Sequence, residues 1–174
     1  MNLEKVTQLF LIAVCIVSLT VLVKHNFLGN GTGAGNMDAY ADTLVGQRET
    51  NIPSAVWQAS QNNLVLLLNS DCRFCDESMP LYQKLAALRR GYGDRFSLVA
   101  VGVEPPAVLR EYLRRNKIDV DSVVQVRSGF ANVRFTPAVF IVNSNGVIQK
   151  AFLGKLDNGN ETQLLHLVAA LKPV

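Results

Sequence analysis

Two cysteines three positions apart, Cys72 and Cys75, stand in the stretch NLVLLLNSDCRFCDESMPL, residues 63–81. Thiols at that spacing can exchange with disulfides, contribute to a metal site, or close a structural disulfide. The elements around them help to separate these readings. The apolar run Leu64–Leu68 ends abruptly in Asn69-Ser70-Asp71, and a helical pattern starts at the first cysteine. A short, continuous apolar run bounded by turn residues suits a central strand buried on both faces. A thiol at the start of the following helix feels unpaired backbone N–H groups and the positive end of the dipole, which favour the thiolate. The second cysteine, one turn on, lies on the same side and can close a disulfide with the first.

A zinc site would need two more ligands at suitable spacing. The remaining candidates are Cys15, inside an apolar N-terminal run, and His25 and His166, and there is no second CxxC. No metal ligand set is assigned. Redox chemistry stands ahead of a metal site and of a structural pair, and both alternatives stay open. The net charge of +3 is too weak to argue for nucleic acid. A basic region in the middle of the chain, from Arg89 to Lys117, reads as solvated helix faces and helix C-termini.

Val6–Val23 is an uncharged run of 18 residues, with Lys5 before it and Lys24 after it. That length can span a bilayer, near the short end of the range. A cleaved signal peptide would place its cleavage site soon after the run, but Lys24-His25-Asn26-Phe27 follows. An uncleaved single-pass anchor over residues 1–25 is therefore favoured, with residues 6–23 in lipid. Lys5 and Lys24 nearly balance the charge rule for orientation. A short tail ahead of a large domain suits a signal-anchor with the domain exported to the extracytoplasmic side. The Gly- and Asn-rich stretch NFLGNGTGAGN reads as a tether, and residues 26–45 are assigned as a flexible linker. A short helix around Tyr40–Val45 and an edge-covering Trp57 are expected before the first strand.

From residue 46 onward the periodicities describe one α/β domain. The first helix is expected from Cys72 or Arg73 to Arg90, kinked by Pro80 and ended by Gly91-Tyr92-Gly93. Phe96–Val103 reads as a strand. Pro105-Pro106 opens a helix to about Lys117, with Ala107, Val108, Leu109, Tyr112 and Leu113 apolar. Val120–Val126 is a third strand, and Ser128–Arg134 a short helix or turn. Ala138–Val142 and Val147–Leu153 flank Asn143-Ser144-Asn145-Gly146, a hairpin signal. Glu161–Leu171 closes the chain as a helix, with Leu164, Leu165, Leu167, Val168 and Leu171 facing the sheet and His166 exposed. The expected architecture is a mixed central sheet with helices on both faces.

At this point the chain resembles the thioredoxin-fold superfamily, and within it the TlpA-like, redoxin-type, membrane-anchored thiol–disulfide oxidoreductases. Four features carry the resemblance over residues 46–174: CRFC after a buried strand; Pro80, five residues past the second cysteine; Thr136-Pro137 directly before AVFIV; and the extra helix and strand between Pro105 and Val126. The resemblance implies a thioredoxin-like fold with a redoxin-type helix–strand insertion. It implies that Cys72 is the attacking thiolate and Cys75 the resolving thiol, and that Thr136 and Pro137, joined by a cis bond, receive the partner chain. Asp71, Arg73, Phe74 and Glu77 would tune the site, and Pro80 would be structural. No cofactor is implied beyond a redox-active Cys72–Cys75 disulfide. The implied partners are protein disulfides or dithiols and a membrane-embedded dithiol electron donor.

The chain departs from the family pattern in places. Asp71 replaces the tryptophan that usually precedes the first cysteine, and Leu66 stands where thioredoxin has a buried acid. Ser78 occupies a position that is acidic in many anchored members. The proton acceptor for Cys75 is thus unassigned, with Glu77, Glu104 and water as candidates. Arg73 is expected to lower the pKa of Cys72, and Asp71 and Asp76 to raise it. Two other functions compete with this one. A thiol peroxidase would carry Thr and Pro three and seven residues before its reactive cysteine, where this chain has Asn69 and Val65. A metal-carrying assembly factor of this fold would use a histidine near the end of the sheet, and neither His25 nor His166 is so placed.

Overall fold

The computed structural model describes residues 34–171, with Val14 and Ser18 as isolated positions. The expected membrane span, residues 6–23, lies outside the described residues. Among those that are described, no helix is long and apolar enough to cross a membrane.

The described residues from 37 onward make one compact unit. Its elements are α1 (Ala34–Leu44), α2 (Ser54–Gln58), β1 (Asn62–Leu67), α3 (Arg73–Glu77), α4 (Met79–Tyr92), β2 (Ser97–Gly102), α5 (Pro106–Arg115), β3 (Ser122–Gln125), β4 (Ala138–Asn143), β5 (Ile148–Leu153) and α6 (Asn158–Ala169). Five strands form a mixed sheet in the order β3-β2-β1-β4-β5. β2 runs parallel to both β1 and β3, while β4 runs antiparallel to β1 and β5. β1 is central, as its unbroken apolar run requires. Its side chains alternate between two cores. Leu64, Leu66 and Leu68 pack with residues of α4, α5 and α6, while Val65 and Leu67 pack with residues of α1 and α2.

The expectations differ from the structure in three instructive places. The expected linker, residues 26–45, is helical from Ala34, and Ala41 and Leu44 are buried in the second core. Met37, Ala41 and Leu44 recur at helical spacing, an amphipathic stripe inside a stretch whose glycines suggest coil. In α5, Leu109, Tyr112 and Leu113 are buried, but Ala107 and Val108 are exposed. The buried stripe sits at i, i+3, i+4, and Val108 lies about 100° away from Leu109. Leu167 of α6 is likewise exposed, beside the buried Leu164 and Val168. Ser128–Arg134, expected as a short helix or turn, is a turn, with Ala131 and Asn132 at positive φ and reciprocal bonds between Phe130 and Val133. Trp57 is buried and meets Phe130 edge-on, their ring centres 6.2 Å apart.

Candidate active site

The last strand-like bond of β1 runs from Leu68 N–H to the Val101 carbonyl at 2.8 Å. Beyond it the chain turns, and the turn is tied at each residue. Asn69 O accepts from Cys72 N–H at 3.2 Å, and Asn69 Oδ1 accepts from Asp71 N–H at 2.8 Å. The Ser70 N–H and hydroxyl both donate to the Glu104 carboxylate, at 2.9 and 2.6 Å. Glu104 follows β2, so the neighbouring parallel strand reaches over to hold the turn that precedes the cysteines.

Cys72 takes the N-cap position of α3, with an extended backbone (φ −94°, ψ 111°). Its carbonyl accepts from the N–H groups of Cys75 and Asp76 at 2.9 and 3.1 Å. The single helix expected over residues 72–90 is interrupted at Ser78 (φ −92°, ψ 0°), after which α4 starts with Pro80 in its first turn. Proline is well tolerated there, where the missing N–H leaves no helical bond unmade. The Ser78 hydroxyl donates to the Phe74 carbonyl at 2.8 Å, and the residue is buried.

Both cysteines are free thiols. Cys72 is half-buried, and its Sγ lies 3.4 Å from the Thr136 carbonyl, to which the thiol donates. The Thr136–Pro137 bond is cis. Partial burial opposes ionisation of Cys72, but hydrogen bonds from the Thr136 side chain, from the Cys75 thiol and from the backbone at Cys75 and Phe74 outweigh it. The Cys72 thiol is therefore held below its ordinary value. Cys75 is fully buried. Desolvation pushes its thiol up to about 12, against a hydrogen bond from the Asn69 backbone that favours the thiolate.

The charged residues around the motif do less to the sulfurs than their positions suggest. Arg73 bonds Glu77 at 2.8 Å, and Lys155, from the loop after β5, bonds the other Glu77 oxygen at 2.7 Å. These two cations hold the Glu77 carboxyl below its usual range. Arg73 and Asp71 are exposed to solvent, which screens them. Hydrogen bonds, and no ion pair with Arg73, account for the acidity of Cys72. Phe74 projects outward and is 55% exposed.

Sequence patterns did not disclose two tyrosines near the sulfurs. Tyr112 of α5 donates to Asp76 Oδ1 at 2.7 Å, and Tyr82 of α4 is buried close enough to feel charge on Cys75. Both phenols are pushed up, chiefly by desolvation. Each falls in an apolar stripe and so reads as core. The available signal was that a buried tyrosine hydroxyl needs a partner, which for Tyr112 is the first-turn Asp76. His166 is exposed on α6. Among the described residues, no group of three or more His, Cys, Asp or Glu side chains is placed to hold a metal ion.

No protein-family profile matches the chain, and no curated protein does. Solved structures do. A candidate thiol:disulfide interchange protein DsbE from Chlorobium tepidum superposes with a TM-score of 0.56 at 19% identity, covering 74% of this chain and 98% of its own. A thiol-disulfide isomerase from Corynebacterium glutamicum gives 0.51 at 17% identity, covering 74% and 92%. A thiol:disulfide interchange protein of the thioredoxin family, from Chlorobium tepidum TLS, gives 0.52 at 13%, covering 74% and 96%. At these identities the common feature is the fold, which is thioredoxin-like.

Proposed function

We propose that this thioredoxin-like chain is a thiol–disulfide oxidoreductase. The observation that carries the reading is the pairing of an accessible, acidified Cys72 with a buried, weakly acidic Cys75 at the mouth of the Thr136–Pro137 loop. The Cys72 thiolate attacks one sulfur of a substrate disulfide, forming a mixed disulfide and expelling the other substrate sulfur as a thiolate. Cys75 then gives up its proton and attacks Cys72 Sγ. This closes the Cys72–Cys75 disulfide and releases the second substrate thiol. Two electrons pass from the dithiol to the substrate, and a dithiol donor must return them. Thr136 and Pro137 receive the substrate chain, and Phe74 offers it an exposed apolar surface.

In the full reading the substrates are proteins, and residues 6–23 tether the enzyme to a membrane with residues 46–174 on the extracytoplasmic side. Electrons then come from a dithiol donor embedded in that membrane. The test is insulin-disulfide reduction. Cys72→Ser abolishes turnover, and Cys75→Ser accumulates a mixed disulfide separable on a non-reducing gel. Full activity in both variants would remove the proposal.

A further inference from the structure

Glu49 lies in the lead-in to α2 at 4% exposure, and its carboxylate meets backbone donors instead of a cation. Oε1 accepts from the Asn51 N–H at 2.6 Å, and Oε2 accepts from the Ala131 N–H. The first bond is local, whereas the second joins residues 82 positions apart. The lead-in is itself fixed to the hairpin between β4 and β5. The Glu49 N–H donates to the Gly146 carbonyl at 2.9 Å, and the Gly46 N–H to the Ile148 carbonyl at 2.8 Å.

Ala131 and Asn132 stand at φ +48° and +64°, in the left-handed region that residues with a Cβ enter at a cost. Ala131 is buried, so without Glu49 its N–H would lose its partner away from water. The turn closes with bonds between Phe130 and Val133 at 3.1 and 2.8 Å. Three residues later the chain reaches Thr136, whose carbonyl lies 3.4 Å from Cys72 Sγ. On its far side the loop is fixed by the sheet. The Gly154 N–H donates to the Pro137 carbonyl at 2.8 Å, and Ala138 pairs with Leu67 and Leu153. Thr136 and Pro137 thus lie between two anchors, the sheet and the turn, and Glu49 secures the second.

We propose that Glu49 is a positioning residue which, through the 130–133 turn, holds Thr136 and Pro137 in place for the peptide chain of a disulfide substrate. This rests on the exchange reading above. The test compares two disulfides reacting with the reduced full-length protein. Insulin brings a peptide chain to the loop, and dithiobis(nitrobenzoate) brings none. Each reaction ends in a Cys72–Cys75 disulfide and two released thiols, and an acid quench followed by a maleimide mass shift reads its rate. Both rates scale with the folded fraction, so lost stability alone leaves their ratio unchanged. In Glu49→Gln an amide nitrogen replaces one acceptor oxygen, and the insulin rate relative to the other is expected to fall about tenfold. Glu49→Asp keeps the charge but loses the reach to both donors, and its ratio is expected to fall about threefold. Gly93→Ala, remote from the turn, is expected to keep the wild-type ratio. A wild-type ratio in both Glu49 variants, whatever their stability, would make Glu49 structural only and overturn the proposal. Loss in Glu49→Gln with none in Glu49→Asp would make its charge the cause, and also overturn it. A wild-type protein inert to both disulfides would overturn the exchange reading as well.

Discussion

Cys72 and Cys75 share one turn of backbone yet are pushed in opposite directions, because one sulfur sits among donors at a helix start and the other under the core. Alkylation of the reduced protein against pH reads this directly. Half-maximal modification of Cys72 is expected below the ordinary thiol value of about 8.5, while Cys75 stays protected until pH approaches about 12. The signs for stability follow from the same directions. Cys75 has its value raised by folding, so its contribution is whole below the ordinary thiol range and is lost as pH climbs toward about 12. Cys72 has its value lowered, so its contribution is present above the ordinary range and is lost as pH falls through the folded value. The cysteines and Thr136-Pro137 were legible as residues, since their types and spacing announce them. The placement of Arg73, turned onto a Glu77 that also binds Lys155, was not. Glu77 and Lys155 are 78 positions apart, and only the fold brings them together.

The elements that matter most to the site are the shortest ones. The strand before the motif and the hairpin around Asn143–Gly146 carry strong periodic or turn signals, and they form where those signals place them. The break at Ser78 was legible only as a kink at Pro80. Helical propensity cannot say which residue before a proline leaves the helix. The local pattern of the turn that feeds the Thr136–Pro137 loop suits a helix as well as a turn, because its geometry rests on long-range partners. The Ala131 N–H donates to the buried carboxylate of Glu49, which also accepts from Asn51 N–H at 2.6 Å. Gly129 stands at φ +96°, where a Cβ would lie 2.1 Å from the Val133 carbonyl oxygen. Gly129→Ala is expected to cost roughly 2 kcal/mol or more, from backbone conformation and collision together. Because residues 130–135 lead directly to Thr136, turnover should fall with stability. Gly93, at φ +59° with open space around its missing Cβ, is the comparison. Gly93→Ala should cost about 1–3 kcal/mol, from backbone conformation alone, and leave turnover alone. Urea denaturation beside insulin reduction measures both, and equal losses in the two variants would mean that the 129–133 turn is not held by packing.

For the whole molecule, the compact unit over residues 37–171 gives the site its two cores and its sheet, while the proposed address rests on sequence alone. The 18 uncharged residues Val6–Val23 would extend about 27 Å as a helix, close to the thickness of the hydrocarbon layer. Residues between that run and α1 are rich in glycine and asparagine, a composition that lets a domain range over the surface to which it is tied. The full chain, expressed in cells, is therefore expected to stay with the membrane pellet through an alkaline carbonate wash, which strips proteins held only by charge. Cys72 supplies its own topological label, being half-buried and acidified in the reduced form. After reduction, a membrane-impermeant maleimide added outside intact spheroplasts should modify wild-type protein and leave Cys72→Ser unlabelled. Labelling only after the membrane is broken would put the domain on the inner side, where soluble reductants reach it and a membrane donor is not needed. Release by carbonate would remove the tether and leave exchange chemistry in place.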